Sequence, residues 1–248
     1  MSYFNFKNSK IYYRVYGEGS PLIIIHGDTA SSKMVLPEMK FYSKNFKVIL
    51  VDLVGQGKSQ RVDKLPLNHW SFNADMIIEL CRYLKIKDVN LLGTSGGASV
   101  ALNAALKDPN LFYKIIADSF MGESLSSDFA EKIVDDRKIA KQKLGPKIFW
   151  LMMHGFDWEK VIDQNTKLMV DFSRNLGDFF DGDLKDIENN VLITGSSKDD
   201  LIPNAENILK DVDSKMKNSK LVIFKEGNHP AMFSNKKEFR NLVLEFLS

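Results

Sequence analysis

Val89-Asn90-Leu91-Leu92-Gly93-Thr94-Ser95-Gly96-Gly97-Ala98-Ser99-Val100-Ala101-Leu102 passes from a short apolar run, through a glycine-rich pentapeptide, into a helix-forming run. Val89–Leu92 reads as a buried strand and Ala98–Lys107 as a helix. A serine in the pattern G-x-S-x-G at such a junction fits a sharp elbow that lifts its hydroxyl above a sheet edge. Side chains at the flanking positions would clash with the adjoining strand and helix. The helix that starts just after Ser95 directs its N-terminal dipole at charge developing there. Taken alone, the pentapeptide also fits an ordinary Gly/Ser turn. The strand before it and the helix after it make Ser95 a candidate nucleophile.

Working outward, the same alternation recurs. Strands are expected at Lys10–Tyr16, Leu22–Ile25, Phe46–Val51, Lys114–Ala117, Val191–Thr194 and Leu221–Phe224. Helices are expected near Lys33–Ser43, Phe72–Leu84, Asn204–Met216 and Lys236–Leu247. Continuous apolar strands between amphipathic helices imply an α/β fold with a mostly parallel central sheet covered on both faces. Residues 121–183 interrupt the pattern with helical periodicity alone. Asp128 with Glu131 reads as an N-terminal capping pair, Gly145-Pro146 as a helix stop, and Ile148–Met153 and Trp158–Leu176 as further helices ending at Gly177. This segment reads as an inserted helical cap, with 1–120 and 184–248 forming the core domain. The alternative is a set of packing helices at the sheet edge.

Bulk properties narrow the class. The chain has 248 residues, 44% hydrophobic and 27% charged, with a net charge of +2. That balance carries no basic stripe for nucleic acid. No apolar run approaches the length that spans a bilayer, and the first residues lack the basic and apolar regions of a secretory signal. Cys81, the single cysteine, sits at helical spacing with Ile77, Leu80 and Leu84 and reads as core. A cytoplasmic location is the expectation. Neither a cofactor nor a metal is called for.

A serine needs a base, and the base needs an orienting acid. Of His26, His69, His154 and His229, the last follows the final strand and so reaches the sheet edge that carries Ser95. His69 is expected in a loop, His154 in the helical insertion, and His26 as a structural histidine. Asp199 and Asp200 follow the penultimate strand and complete the chain order Ser…Asp…His. Only one of the two can orient the imidazole. An oxyanion hole requires two backbone N–H donors; Gly96 supplies one and Asp28, after His26-Gly27, the other.

Five motifs now stand in order: His26-Gly27; Val51–Ser59 with Asp52, Gly55, Gly57 and Ser59 in a D-x-x-G-x-G-x-S pattern; Gly93–Gly97; Gly195–Pro203; and Gly227–Pro230. Together the chain resembles the α/β-hydrolase superfamily over essentially its whole length. The resemblance implies Ser95 as nucleophile, His229 as base and Asp199 as acid. Asp200 stays open because one extra residue follows Gly195, and Asp118 occupies the place of the acid in some members. It implies a serine hydrolase of a carboxylic ester or related small acyl substrate, working through an acyl-enzyme. Carbon–carbon bond hydrolysis, acyl transfer, perhydrolysis or ligand binding on a hydrolase shell use similar constellations. A serine at the elbow argues against the haloalkane dehalogenases and epoxide hydrolases of the fold, which attack with aspartate. Asp28 departs from the aromatic or neutral residue common in relatives: either its side chain turns away or it meets a cationic or hydrogen-bonding group. Phe149, Trp150, Met152, Met153, Phe156, Trp158 and Met169 are candidate pocket walls favouring an apolar acyl or aryl group, though such a stripe also serves as cap core.

Overall fold

A computed structural model describes residues 2–248. The chain opens with strands β1 (Ser2–Phe6), β2 (Ser9–Tyr16) and β3 (Pro21–Ile25). Helix α1 (Leu36–Tyr42), β4 (Lys47–Val51), α2 (His69–Leu84), β5 (Val89–Thr94), α3 (Gly96–Lys107) and β6 (Phe112–Asp118) follow. Three helices come next: α4 (Ser127–Ala140), α5 (Leu144–His154) and α6 (Trp158–Asn175). The chain ends with β7 (Asn190–Ser196), α7 (Ala205–Lys215), β8 (Ser219–Phe224), the short α8 (Ala231–Ser234) and α9 (Lys236–Leu247).

The eight strands form one sheet in the order β1-β2-β4-β3-β5-β6-β7-β8. β1 and β2 are antiparallel to their neighbours, and every later pairing is parallel. Successive strand residues point to opposite faces. Ile23, Ile25, Ile49, Val51 and Leu91 join the core under α2, α3 and α7. Leu22, Ile24, Val48, Leu50 and Leu92 join the core under α1, α8 and α9. Burial on both faces is why these strands read as unbroken apolar runs. This is the architecture that the resemblance implied.

β1 was not foreseen. It is an edge strand that buries only Phe4 and Phe6, too short an alternation to stand out. Within residues 121–183 the regular elements are the helices α4, α5 and α6, with one isolated Ser124–Asp178 bridge between the loops that flank them. Three local expectations change. Ser126, not Asp128, caps α4, its Oγ accepting from Phe129 N at 3.2 Å. Gly145-Pro146 does not stop a helix: α4 already ends at Ala140, and Pro146 lies in the first turn of α5, where a missing N–H costs nothing. His69 is not in a loop but opens α2, buried. Gly177 does end α6, with φ of 78° and its N–H bonded to Phe172 O.

Candidate active site

Ser95 joins β5 to α3 with φ 53° and ψ −130°, a sparsely populated conformation for a residue with a side chain. Holding it there costs about 1–3 kcal/mol, which the surroundings must supply. Ser95 N donates to Asp118 O and Ala98 N donates to Ser95 O, each at 2.8 Å. The glycines permit close approach: a Cβ on Gly93 would overlap the Gly97 backbone, and one on Gly27 would stand 2.9 Å from Ser95 Cβ.

His229 lies between β8 and α8. Its Nδ1 donates to Asp199 Oδ2 at 2.8 Å, with both side chains largely buried. Asp199 Oδ1 accepts from Leu201 N at 2.9 Å and Ile202 N at 2.8 Å. Burial pushes the Asp199 carboxyl up, but the hydrogen bond and charge of His229 and these two N–H groups outweigh it, and the carboxyl ends below its usual value. Asp200 has a different partner: its Oδ1 accepts from His229 N at 2.9 Å. Asp199 therefore meets the ring and Asp200 holds the backbone of the same histidine. Among the described residues no direct hydrogen bond joins Ser95 Oγ to the His229 ring. Such bonds are often long or misaligned until substrate binds.

Asp118 touches neither ring nitrogen. It is fully buried and accepts from Thr94 Oγ1 and Thr194 Oγ1, both at 2.8 Å, and from Ser119 Oγ and Met232 N, both at 3.2 Å. Burial raises its pKa against those donors. Asp118 thus ties the ends of β5 and β7 to α8, which follows His229.

Asp28 does not turn away. Its Oδ2 accepts from Trp70 Nε1 at 3.2 Å and its Oδ1 from Asn165 Nδ2 at 3.4 Å. A Cβ on Gly96 would overlap this carboxylate, so Asp28 lies against the residue after Ser95. Trp70 and Asn165 were missed by sequence reasoning. Nothing in their local patterns links them to residue 28, and only the tertiary packing brings them there.

The other histidines are structural. His26 is buried, donates Nδ1–H to Gly27 O at 2.8 Å and accepts Leu53 N–H on Nε2 at 3.1 Å. His154 accepts from Gly57 N at 3.1 Å and donates to Thr29 O at 3.0 Å, and burial pulls its pKa down to about 4. It thereby pins α5 to the turn after β4. That turn is organised by Asp52, which accepts from Ser32 N and Lys58 N at 2.6 Å each. Two candidate walls face water instead: Phe156 is 99% exposed and Met152 55%. Trp150 and Trp158 stack with centroids 5.5 Å apart and, with Ile162, form a small core within the helical segment.

The fold has many counterparts. A family model described as alpha/beta hydrolase fold matches residues 20–145. The human serine hydrolase BPHL is 28% identical over 252 residues, covering 96% of this chain and 83% of that protein. A putative carbamate hydrolase, RutD, from a Caulobacter strain is 23% identical over 96% of both chains. Among solved structures, an esterase from Exiguobacterium antarcticum superposes with a TM-score of 0.78 at 22% identity, covering 96% of this chain and 95% of its own. An enol-lactonase from Burkholderia xenovorans gives a TM-score of 0.75 at 16% identity, with 99% of each chain covered. With its mostly parallel sheet, its serine elbow and the family match over half its length, this chain belongs to the α/β-hydrolase fold family.

Proposed function

We propose that this chain is a serine hydrolase of carboxylic esters or related small acyl compounds. The Asp199–His229 hydrogen bond, in a loop pair that follows the Ser95 elbow in chain order, carries the reading. Asp199 holds the proton of His229 on Nδ1, which leaves Nε2 as the base. His229 takes the Ser95 proton as Oγ attacks the carbonyl carbon. The N–H groups of Gly96 and Asp28 hold the oxyanion, and His229 protonates the departing alcohol. Water then adds to the acyl-enzyme through the same histidine and releases the acid.

Residues 121–183 act as a cap over a core made of 1–120 and 184–248. Three anchors support this: His154, the contact of Ser31 Oγ with Met153 O at 3.1 Å, and Arg61, which reaches His154 O at 2.8 Å and Asp157 Oδ2 at 2.8 Å. A small molecule with an apolar acyl or aryl portion is the substrate, and a reducing cytoplasm suits the buried Cys81. Among the described residues no helix is long and apolar enough to cross a membrane.

The test is turnover of p-nitrophenyl esters of graded acyl length beside a β-diketone. Saturable ester cleavage that Ser95→Ala lowers by about a thousandfold or more is the expected result. Unchanged turnover in Ser95→Ala overturns the mechanism, and cleavage of the β-diketone in preference to every ester moves the reaction to carbon–carbon hydrolysis.

A further inference from the structure

Arg137, on α4, is a cation without a counter-ion. It is partly buried, and its Nη1 donates to Thr166 Oγ1 at 3.0 Å, a hydroxyl that itself donates to Ile162 O at 2.7 Å. Among the described residues no carboxylate lies within ion-pair distance of it, whereas Lys132, Lys141, Lys167 and Arg174 on or beside the same helices all have acidic partners. Burial pulls the Arg137 pKa down to about 10, and Asp28 is the charged group that acts to raise it. Exposed cations need no partner, but buried ones are ordinarily paired.

The neighbouring position on α6 points to what is missing. Asn165, fully buried, donates to Asp28 Oδ1 and leaves its own Oδ1 without a partner. Consecutive residues of α6 therefore connect Arg137, through Thr166, to Asp28, through Asn165, and Asp28 lies against Gly96. The sheet order sets the direction. Asp28 follows β3 on one side of β5, whereas Asp199 and His229 follow β7 and β8 on the other. An alcohol protonated by His229 leaves on the histidine side. That leaves the Asp28 side, which α6 covers through Asn165, for the acyl group.

We propose that Arg137 binds a carboxylate at the far end of the substrate's acyl group, so that half-esters of dicarboxylic acids are the substrate class. The proposal rests on the Ser95 reading and deepens it. The acyl chain stays apolar along its length. Its terminal carboxylate accepts from the guanidinium N–H groups that Thr166 does not engage, a planar fork suited to two parallel hydrogen bonds. Asp28 repels a carboxylate placed near the scissile carbonyl, which favours the distal position.

The experiment compares mono-p-nitrophenyl adipate with its neutral methyl-capped diester in wild type, Arg137→Met and Arg137→Lys. Calorimetric binding of adipamate against neutral adipamide runs in parallel. The expected kcat/KM preference of the wild type for the anionic ester is about tenfold or more, the scale of a charge-assisted hydrogen bond. Arg137→Met should erase that ratio, and Arg137→Lys should keep part of it. A loss of Thr166 packing alone would lower both esters together and leave the ratio intact. No preference in the wild type, or an equal fall for both esters in Arg137→Met, overturns the proposal. If neither ester is cleaved, the Ser95 reading fails separately. Binding then decides: adipamate held more tightly than adipamide in wild type but not in Arg137→Met sustains the anchor, and equal binding removes it.

Discussion

Replacing Asp199 with Asn tests how the base is oriented. In the wild-type chain Oδ1 accepts from Leu201 N and Ile202 N, and Oδ2 accepts from His229 Nδ1. An Asn keeps its oxygen on the two backbone donors, because an amide nitrogen there would face two N–H groups. Its NH2 then faces His229 Nδ1. Two donors cannot share that contact, so the imidazole moves its proton to Nε2 and can no longer accept one from Ser95. A tautomer error of this kind costs about 10⁴ in kcat in triads of this type, or roughly 5 kcal/mol of barrier. Asp200→Asn is the matched control. Its oxygen still accepts from His229 N, and a neutral acceptor there should keep kcat within about a factor of three. Both variants are assayed by kcat and KM on one p-nitrophenyl ester, with circular dichroism to verify folding. Asp199→Asn within tenfold of wild type, or a collapse in Asp200→Asn alone, would refute the assignment.

Three further outcomes follow from the geometry. Gly93→Ala drives a Cβ into the Gly97 backbone and should destabilise the fold by about 3 kcal/mol or more, read by urea unfolding; an unchanged midpoint contradicts the packing described for the elbow. Arg61→Ala removes bonds to Gly57 O (2.9 Å), Ser59 O (3.1 Å) and His154 O (2.8 Å) along with the Asp157 ion pair, at a cost of about 2–4 kcal/mol. Limited proteolysis should then cut faster within 121–183, and an unaltered cleavage pattern argues against Arg61 anchoring that segment. Finally, burial lowers His69 and His154 to about 4 in the folded chain, with His26 shifted the same way. Below an unfolded value of about 6.5 the unfolded chain takes up protons that the folded chain refuses. Stability should therefore fall as pH drops from about 6.5 toward 4, with His69 and His154 together giving a slope approaching two protons, about 2.7 kcal/mol per pH unit, and His26 steepening it further. A flat unfolding free energy across that window counts against neutral buried histidines.

The parallel strands were legible because each is buried on both faces, as with Leu22–Ile25, where every residue is fully buried. The elbow was legible because close approach at Gly93 and Gly97 demands glycine whatever the surroundings. Edge strand β1 was not, since two inward phenylalanines are too weak a period. Gly145-Pro146 misled because the same dipeptide can end one helix or start the next, and what decides is where α4 has already stopped. The Asp28 side chain could not be oriented from the sequence. Its partners Trp70 and Asn165 come from α2 and α6, and neither carries a local mark of that contact. Met152 read as pocket lining by composition, yet periodicity along α5 could not say which face meets the core, and Phe156 lies beyond the end of that helix in the turn before α6. Arg137 offered no signal at all, because an arginine on an amphipathic helix reads as solvated until its surroundings are known.

The central claim is that Ser95 is a nucleophile activated by His229. Its most direct test is intact-mass analysis after treatment with a fluorophosphonate, followed by peptide mapping. One adduct per chain is expected, located on Ser95, absent in Ser95→Ala and formed far more slowly in His229→Ala. An adduct elsewhere, or none on a folded wild-type chain, would contradict it.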